Sequence, residues 1–394
     1  MKSRIKITNG KLITPYRLIE NGTVLIADGK IIAVEEGDIP FEADLVIDAK
    51  QDYVSPGFID LHVHGGGGAD FMDGNVDAFL KVAETHAKYG TTSLVPTTLT
   101  SEQEDLIETF RVYEEALQKN THGAQFLGLH LEGPYFSMNQ RGAQDPRYIR
   151  NPNPEEYLDI LKTYGKYIAR WSSAPELPGS IEFALALKEY GVMPAIAHSD
   201  AVYEDVIRAF EYGYKLATHL YSGMSGVTRR NAFRYAGVIE SAFLIDEMDV
   251  EVICDGIHLP EPFLKLIYKI KGSEHIALVT DAMRGAGMPE GESILGGLRN
   301  GLKVIIEDEV AKLPDKTAFA GSVATADRLV RTMMKLGGVP LLQAVKMLTQ
   351  NPARIMGIDN RKGTLQKGKD ADIILFDEAI SIKKTIVGGN VIYG

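Results

Sequence analysis

Short apolar runs alternate with amphipathic stretches from residue 56 to about residue 280. Short continuous apolar runs are typical of strands buried on both faces of a sheet, and apolar positions every three or four residues are typical of helices. The predicted strands are residues 58–63, 93–95, 126–131, 168–172, 193–197, 215–218, 250–254 and 275–280. The predicted helices are residues 76–89, 102–119, 180–190, 202–212 and 262–270, followed by 324–336 and 341–356.

Strands that alternate with helices predict an α/β fold with a parallel sheet covered by helices. Eight such repeats favour a (β/α)8 TIM-like barrel. A doubly wound open sheet would show the same alternation, but its Gly-rich phosphate-binding fingerprint is absent from the sequence. We therefore expect the middle of the chain to form a barrel.

Strand-like alternation and tight-turn signals mark both ends of the chain. Asn9-Gly10 and Asp28-Gly29 are each flanked by alternating apolar residues, and this pattern predicts two hairpins. Residues 372–376 and 384–393 return to the same pattern. We expect one small β-sandwich domain built from residues 1–55 and 358–394, with the barrel domain, residues 56–357, inserted between them.

The sequence of 394 residues has 42 basic and 53 acidic side chains, a formal net charge of −11 and a pI of about 5.4. An acidic balance argues against binding the nucleic-acid backbone, which needs clustered Lys and Arg. No apolar run approaches the ~18–20 residues of a membrane span, and the N-terminal pattern differs from that of a secretory signal. We expect a soluble cytoplasmic protein without nucleic-acid or membrane partners.

Nine His residues stand against a single Cys, Cys254. One Cys excludes an internal disulfide and any metal centre built on several thiolates. A metal in this protein must therefore be bound by His and carboxylate side chains, which suit zinc, iron, manganese and other divalent ions.

His and carboxylate residues recur where the predicted strands end. His62 and His64 are two positions apart on one strand, so both side chains project to the same side. Four other strands end in further candidates: Glu132, His198, His219 and Asp281. Because the active sites of TIM barrels lie at the carboxyl ends of the strands, we expect these side chains to form one metal site.

Two more histidines lie close to this predicted site. His130 precedes Glu132 by two residues, and a hydrogen-bonded structural role is favoured for it over direct metal ligation. His258 follows the seventh strand at the same rim, and we expect it to contact substrate.

These motifs resemble the amidohydrolase superfamily, and more narrowly its N-acetylglucosamine-6-phosphate deacetylases. The resemblance runs from Gly-Phe-Ile-Asp-Leu-His-Val-His at residues 57–64 to Gly-Lys-Asp-Ala-Asp at residues 368–372. Leu-Glu-Gly-Pro at 131–134 and Thr-His-Leu-Tyr at 218–221 are specific to the deacetylase branch. The resemblance implies a hydrolase of amino sugar metabolism that acts as a homodimer.

The resemblance also implies a role for each candidate ligand. Glu132, His198 and His219 would hold a primary metal. His62 and His64 would provide a second metal position that Glu132 bridges. One or two divalent metals per subunit are therefore expected, with zinc and iron among the candidates.

The implied reaction is hydrolysis of an acetamide. A divalent metal lowers the pKa of bound water from about 15.7 to ~7, which supplies hydroxide at neutral pH. Asp281 would take the water proton as general base and return it to the departing amine as general acid. His258 would polarise the carbonyl together with the metal. The alternative role for Asp281 is that of a helix N-cap.

The implied substrate is N-acetylglucosamine-6-phosphate, hydrolysed to glucosamine-6-phosphate and acetate. Gln144 lies where the family usually has His, and Ser222-Gly223 replaces the family's Asn-Ala. An amide donates hydrogen bonds but carries no charge, whereas Gly permits close backbone approach to a ligand. The remaining candidate substrate contacts are Ser322 and, for the phosphate, Arg230 with Arg229 and Arg234 as alternatives.

Three other functions fit parts of the pattern. Dihydroorotase-like enzymes share the His-x-His motif but need a Lys on strand four, where residues 168–176 have none. A paralogous deacetylase for a different N-acyl amino sugar, with or without a phosphate, would fit Gln144 and Ser222-Gly223. A catalytically silent sugar-sensing or metal-binding protein would keep the barrel, but it would not need Asp281.

Overall fold

The structure, a computed structural model, describes residues 4–394. Its central feature is a barrel of eight parallel strands, here numbered one to eight in chain order. The barrel strands are Phe58–Val63, Thr91–Thr98, Leu129–Glu132, Ile168–Ser173, Met193–Ile196, Leu216–Ala217, Asp249–Ile253 and Ile276–Val279. A short strand, Gln125–Phe126, also pairs with barrel strand two. The predicted TIM-like barrel is confirmed.

Each barrel strand pairs with its neighbours in sequence order, and the barrel closes between the first and last strands. Val63 and Ala282 form a parallel bridge at this closure. The α-helices of the chain are Val76–Ala87, Gln103–Lys119, Pro154–Tyr164, Ser180–Glu189, Tyr203–Glu211, Val238–Leu244, Glu261–Lys271, Ala326–Lys335, Leu341–Lys346 and Gln350–Ile355. Two 3₁₀ turns, Met138–Gln140 and Gly165–Tyr167, are the other helical elements within residues 4–394.

The helices form where an apolar face coincides with a capping signal. Asn75 caps helix Val76–Ala87 by accepting a hydrogen bond from the Ala78 amide, and the helix buries Phe79 and Val82 against the barrel. The single helix expected over residues 341–356 is instead two short helices. Pro352 has no amide hydrogen for a bond back along a continuous helix, and this explains the break.

Both ends of the chain form one further sheet. Its strands are Ile5–Ile13, Leu18–Ala27, Lys30–Glu36, Leu45–Asp48, Tyr53–Pro56, Ile373–Phe376, Ile382–Val387 and Asn390–Tyr393. Strands from the two ends meet where Tyr53–Pro56 pairs antiparallel with Ile373–Phe376. Ile7, Val24 and Leu375 share one buried core, separate from the barrel core.

The hairpin expected at Asn9-Gly10 is wrong, whereas the turn at Asp28-Gly29 is confirmed. Strand Ile5–Ile13 continues through Asn9, which has a φ of 57°, and the register of its pairing shifts on either side of Gly10. A left-handed residue before Gly suits a bulge as well as a turn. The Asn-Gly pair therefore did indicate a left-handed backbone, but the structure formed there is a bulge and not a hairpin turn.

Small sheets decorate the carboxyl end of the barrel. One comprises Gly291–Leu295, Leu302–Glu307, Val310–Lys312 and Phe319–Ser322, and the others pair Thr228–Arg230 with Phe233–Tyr235 and Gly65–Gly66 with Ala69–Asp70. The first sheet follows barrel strand eight and walls one side of the barrel mouth. Within residues 4–394, no helix combines the length and apolar character needed to cross a bilayer.

Candidate active site

The carboxylate of Glu132, at the end of barrel strand three, lies at the centre of the candidate site. Its Oε1 is 3.2 Å from His198 Nε2 and 2.9 Å from His219 Nε2. Glu132 ends barrel strand three, whereas His198 and His219 follow the ends of barrel strands five and six, and all three side chains are buried. They form one group that could hold a metal ion, which we call the primary position.

A second potential metal group shares Glu132. His62 Nε2 and His64 Nε2 lie 3.2 Å apart, and His64 Nε2 is 3.3 Å from Glu132 Oε2. Both imidazoles are buried on the same side of barrel strand one, as their spacing predicted. His62, His64 and Glu132 together form the second position.

Asp281 lies at the barrel closure, beside the second position. Its Oδ1 is 3.2 Å from His64 Nε2 and 3.4 Å from His62 Nε2. The Asp281 amide donates to His62 O at 2.8 Å, and the His64 amide donates to Ala282 O at 2.8 Å. The first and last strands thus fix the carboxylate against the two imidazoles. No α-helix begins at Asp281, so the N-cap alternative is excluded.

Three of these residues adopt a left-handed backbone conformation. The φ angles are 46° at His198, 34° at His219 and 46° at Asp281. This region is unfavourable for residues other than Gly, and non-Gly examples concentrate at functional sites, where the surrounding structure holds them in place. The strain turns these side chains into the barrel mouth at the points where their strands end.

Both positions fit a divalent metal. Bonds of about 2.0–2.1 Å in a tetrahedral site place neighbouring ligand atoms ~3.3 Å apart, close to the separations around Glu132. Burial lowers the pKa of His64, but hydrogen bonds and charge from Asp281 and Glu132 outweigh this effect and raise it to about 10. The carboxylates therefore draw positive charge into the site, and a metal cation would supply it.

The other ring nitrogen of each histidine at the primary position is also hydrogen-bonded. His198 Nδ1 donates to Gln140 O at 2.7 Å, and His219 Nδ1 donates to Ser222 O at 3.1 Å. A ring that donates through Nδ1 leaves Nε2 free to bind a metal. Gln140 is itself held by Asp200, which accepts a 2.7 Å hydrogen bond from its side-chain amide.

A cleft of about 330 Å³ opens over the metal groups. Gln144 is buried at its edge, where its amide donates to Glu132 Oε2 at 2.9 Å while Thr100 donates to its carbonyl oxygen. His258 is half-buried in the wall, with Nδ1 2.7 Å from Asp255 and its ring against Phe319. Among the predicted substrate contacts, the cleft is lined by Gln144, His258, Ser222 and Gly223.

Gly223 is required by close packing as well as by its backbone. Its φ is 58°, and a Cβ at this position would lie 2.6 Å from His198 Nδ1 and 2.8 Å from Gln140 O. Only Gly lets the loop after barrel strand six pass over the His198 ring. Ser222-Gly223 thus borders the primary position directly.

Two predicted substrate contacts are not brought to the cleft in this chain. Arg230 is exposed on the small hairpin Thr228–Arg230/Phe233–Tyr235, stacked over Tyr235 with its guanidinium 5.3 Å from the ring centroid. Ser322 is fully buried, and its hydroxyl accepts from the Ala324 amide at 2.8 Å. The Ser322 amide supports the site indirectly by donating to Asp281 O.

His130 does not belong to either metal group. It is fully buried in the barrel, with Nε2 2.7 Å from Ser172 Oγ and Nδ1 3.0 Å from Arg170 Nη2. This arrangement matches the hydrogen-bonded role favoured from the sequence.

Sequence reasoning missed the buried charges inside the barrel. Arg170 on strand four pairs with Glu251 on strand seven, and both face His62. The signal was present, since a charged residue within a strand that is predicted to be buried needs a partner. The partner itself depends on which strands oppose each other, and this required the closed barrel.

A model for the amidohydrolase family matches residues 53–392. The chain is 33% identical over 372 residues to the N-acetylglucosamine-6-phosphate deacetylase of Lysinibacillus sphaericus, covering 94% of this chain and 93% of that one. It is 32% identical to the N-acetylgalactosamine-6-phosphate deacetylase of Escherichia coli O157:H7, covering 96% and 97%.

Solved structures show the same similarity. A variant of the N-acetyl-D-glucosamine-6-phosphate deacetylase of Mycobacterium smegmatis, in complex with N-acetyl-D-glucosamine-6-phosphate, superposes with a TM-score of 0.90 at 28% identity and covers 100% of both chains. The similarity therefore extends over the barrel and the terminal sheet together.

Proposed function

Because the chain belongs to the N-acetylglucosamine-6-phosphate deacetylase family of amidohydrolases, we propose that it hydrolyses the N-acetyl amide of N-acetylglucosamine-6-phosphate. The products are glucosamine-6-phosphate and acetate. One observation carries the proposal: Glu132, four histidines and Asp281 converge within a single buried cluster at the floor of an open cleft.

The proposed ligand set is Glu132, His198 and His219 for a primary divalent metal, with His62 and His64 for a second. Such a metal supplies a Lewis acid and an activated water. Zinc or iron would suit these nitrogen and oxygen donors.

The chain's own groups perform the proton transfers. Burial raises the pKa of Asp281, but positive charge at His62 and His64 outweighs burial and lowers it. A cation held by the same two residues would act in the same direction, so the carboxylate is ionised and ready to accept a proton. Asp281 then returns the proton to the amine nitrogen as the amide C–N bond breaks. His258, oriented by Asp255, offers Nε2 to the acetyl carbonyl or a sugar oxygen.

The substrate's sugar contacts are also proposals. Gln144, Ser222 and Gly223 line the cleft and offer an amide, a hydroxyl and backbone groups. Arg230 remains a proposed phosphate contact, on an exposed hairpin beyond the cleft. We further propose a homodimer, as the family resemblance implies, and a cytoplasmic location, as the charge and the apolar pattern of the sequence indicate.

The test compares acetate release from N-acetylglucosamine-6-phosphate, N-acetylgalactosamine-6-phosphate and unphosphorylated N-acetylglucosamine, with metal analysis of the same preparation. We expect the phosphorylated glucosamine derivative to be hydrolysed with the highest kcat/KM. An equal or higher value for the unphosphorylated sugar would contradict the proposed substrate. Full activity in chelator-treated, metal-free protein would contradict the proposed mechanism.

A further inference from the structure

A fully buried ion pair crosses the interior of the barrel next to His62. Arg170 Nη1 bonds Glu251 Oε1, and Arg170 Nη2 lies 3.2 Å from Glu251 Oε2. Burying two charges costs several kcal/mol per ion, so such a pair is weak support for stability. Arg170 Nε also lacks a hydrogen-bond partner within residues 4–394. Stability alone does not account for this pair.

The ion pair faces the nitrogen of His62 that points away from the metal groups. His62 Nδ1 is 3.5 Å from Glu251 Oε2 and 3.4 Å from Arg170 Nη2. An ionised carboxylate can only accept a hydrogen bond, and a guanidinium can only donate one. The two partners therefore favour opposite tautomers of the neutral ring.

Only one of these tautomers can bind a metal through Nε2. With the proton on Nδ1, His62 donates to Glu251 and its Nε2 lone pair faces His64 and Glu132. With the proton on Nε2, Nδ1 accepts from Arg170 and the metal-facing nitrogen is blocked. The tautomer is thus decided by which member of the ion pair engages Nδ1.

Arg170 makes shorter contacts to other residues than to His62. Its Nη2 lies 3.0 Å from His130 Nδ1, a shorter contact than the one to His62. Both Nη atoms of the Arg170 guanidinium, which is always protonated, pair with the Glu251 carboxylate. Glu251 is therefore available as an acceptor, while the Arg170 donors are shared between Glu251 and His130.

We propose that Glu251, held by Arg170, is a positioning residue for the second metal position, where it keeps the proton of His62 on Nδ1 and leaves Nε2 free for a metal. This inference rests on the proposed metal-dependent function. It extends that function by assigning a specific role to two charges that touch neither substrate nor metal.

The test measures metal binding by the full-length protein without reference to turnover. Wild-type protein and the double variant Arg170→Met/Glu251→Leu are stripped with a chelator and titrated with Zn²⁺ against a chromophoric competitor. The double variant replaces the ion pair with apolar side chains of similar size, a change that buried pairs often tolerate. We expect its weaker zinc site to lose about 10–100-fold in affinity, with the tighter site unchanged.

Ser172→Ala is the matched control. It removes a buried hydroxyl from the same barrel interior, where the Ser172 hydroxyl hydrogen-bonds with His130 and Thr218. We expect both zinc affinities of this variant to match the wild type. A loss equal to that of the double variant would show a general effect of disturbing the interior and would overturn the proposal.

A second readout uses unmodified protein and does not depend on the double variant folding. Long-range ¹H–¹⁵N spectra of chelator-stripped protein with ¹⁵N-labelled His, recorded at an alkaline pH where the rings are neutral, report the tautomer of each ring, and His62→Asn identifies the His62 signal. The proposal requires a proton on His62 Nδ1. Three results would overturn it: a proton on His62 Nε2, zinc affinities in the double variant equal to those of the wild type, or only one zinc site in the wild type. A wild-type protein that binds no zinc, iron or manganese would instead overturn the proposed function itself.

Discussion

The two metal positions share Glu132 but are built from different parts of the barrel. At the primary position, His198 and His219 have left-handed backbones, and loop carbonyls of Gln140 and Ser222 fix their rings. At the second position, His62 and His64 extend from a regular strand. The Nδ1 atom of His62, which points away from the metal groups, faces the buried ion pair of Arg170 and Glu251. The Nδ1 atom of His64 has no hydrogen-bond partner within residues 4–394.

This difference indicates unequal preorganisation. Ligands whose outer nitrogens are already hydrogen-bonded lose little freedom when a metal binds. The primary position has two such rings, whereas the second depends on Glu251 for one ring and leaves the other unsupported. We therefore expect the primary position to bind metal more tightly and the second to exchange metal more readily.

Removing Glu132 should produce the largest effect, because its two oxygens serve both positions. In Glu132→Ala we expect both zinc sites to be lost and acetate release to fall by more than ~10⁴-fold, beyond the contribution of a general base alone. Zinc titration and acetate assays on one preparation check this. Retention of one tight site would mean that the primary position does not need Glu132.

Asp281→Asn should separate chemistry from metal binding. An amide cannot accept the proton that Asp281 is proposed to take, so kcat should fall by about 10²–10⁴-fold. The primary site should keep its zinc affinity, because the Asp281 contacts are to His62 and His64. Zinc loss from the primary position would contradict the assignment of Asp281 to the other side of the site.

Gly223→Ala should damage the primary position selectively. The added Cβ meets His198 Nδ1 and Gln140 O, so the ring must move and the tight zinc site should weaken by about 10–100-fold. Gly142→Ala is the matched control. Its φ of 55° is close to the 58° of Gly223, but its Cβ would lie 3.6 Å from His198 Cε1, an ordinary contact. Equal losses in the two variants would assign the effect to backbone strain.

Thr100→Val should have the smallest effect. It removes the hydroxyl that donates to Gln144, which in turn donates to the Glu132 oxygen facing His64. One such hydrogen bond contributes about 0.5–1.5 kcal/mol, so we expect a change of about two- to tenfold, confined to the weaker zinc site. Zinc titration checks this, with Thr109→Val on helix Gln103–Lys119 as a distant control.

The sequence predicted the barrel because buried parallel strands are nearly continuous apolar runs. Strand one was predicted at its observed bounds, 58–63. Helix Pro154–Tyr164 was missed, although Asn153 caps it and Pro154 occupies its first turn, both recognised start signals. The sheet from Gly291 to Ser322 was missed because its short strands are partly exposed and weakly patterned.

The candidate ligands were predictable because the carboxyl ends of all barrel strands converge on one face, however far apart the strands lie in the sequence. The contacts that orient those ligands were less accessible. Gln140 acts through its backbone carbonyl, and this leaves no trace in side-chain identity. Glu251 becomes meaningful only when barrel strands one, four and seven face a common interior. The sequence pattern therefore predicts the candidate ligands, whereas the contacts that orient them depend on the closure of the barrel in three dimensions.

The bridge between Val63 and Ala282 that closes the barrel has a consequence for unfolding. The hydrogen bonds at this closure also set Asp281 against His62, so a local opening of the barrel wall would separate the proposed general base from the second metal position. Local openings require less free energy than global unfolding. As urea rises, catalysis should therefore disappear before the far-ultraviolet circular dichroism changes, and the enzyme's own turnover would report the integrity of its last strand pairing.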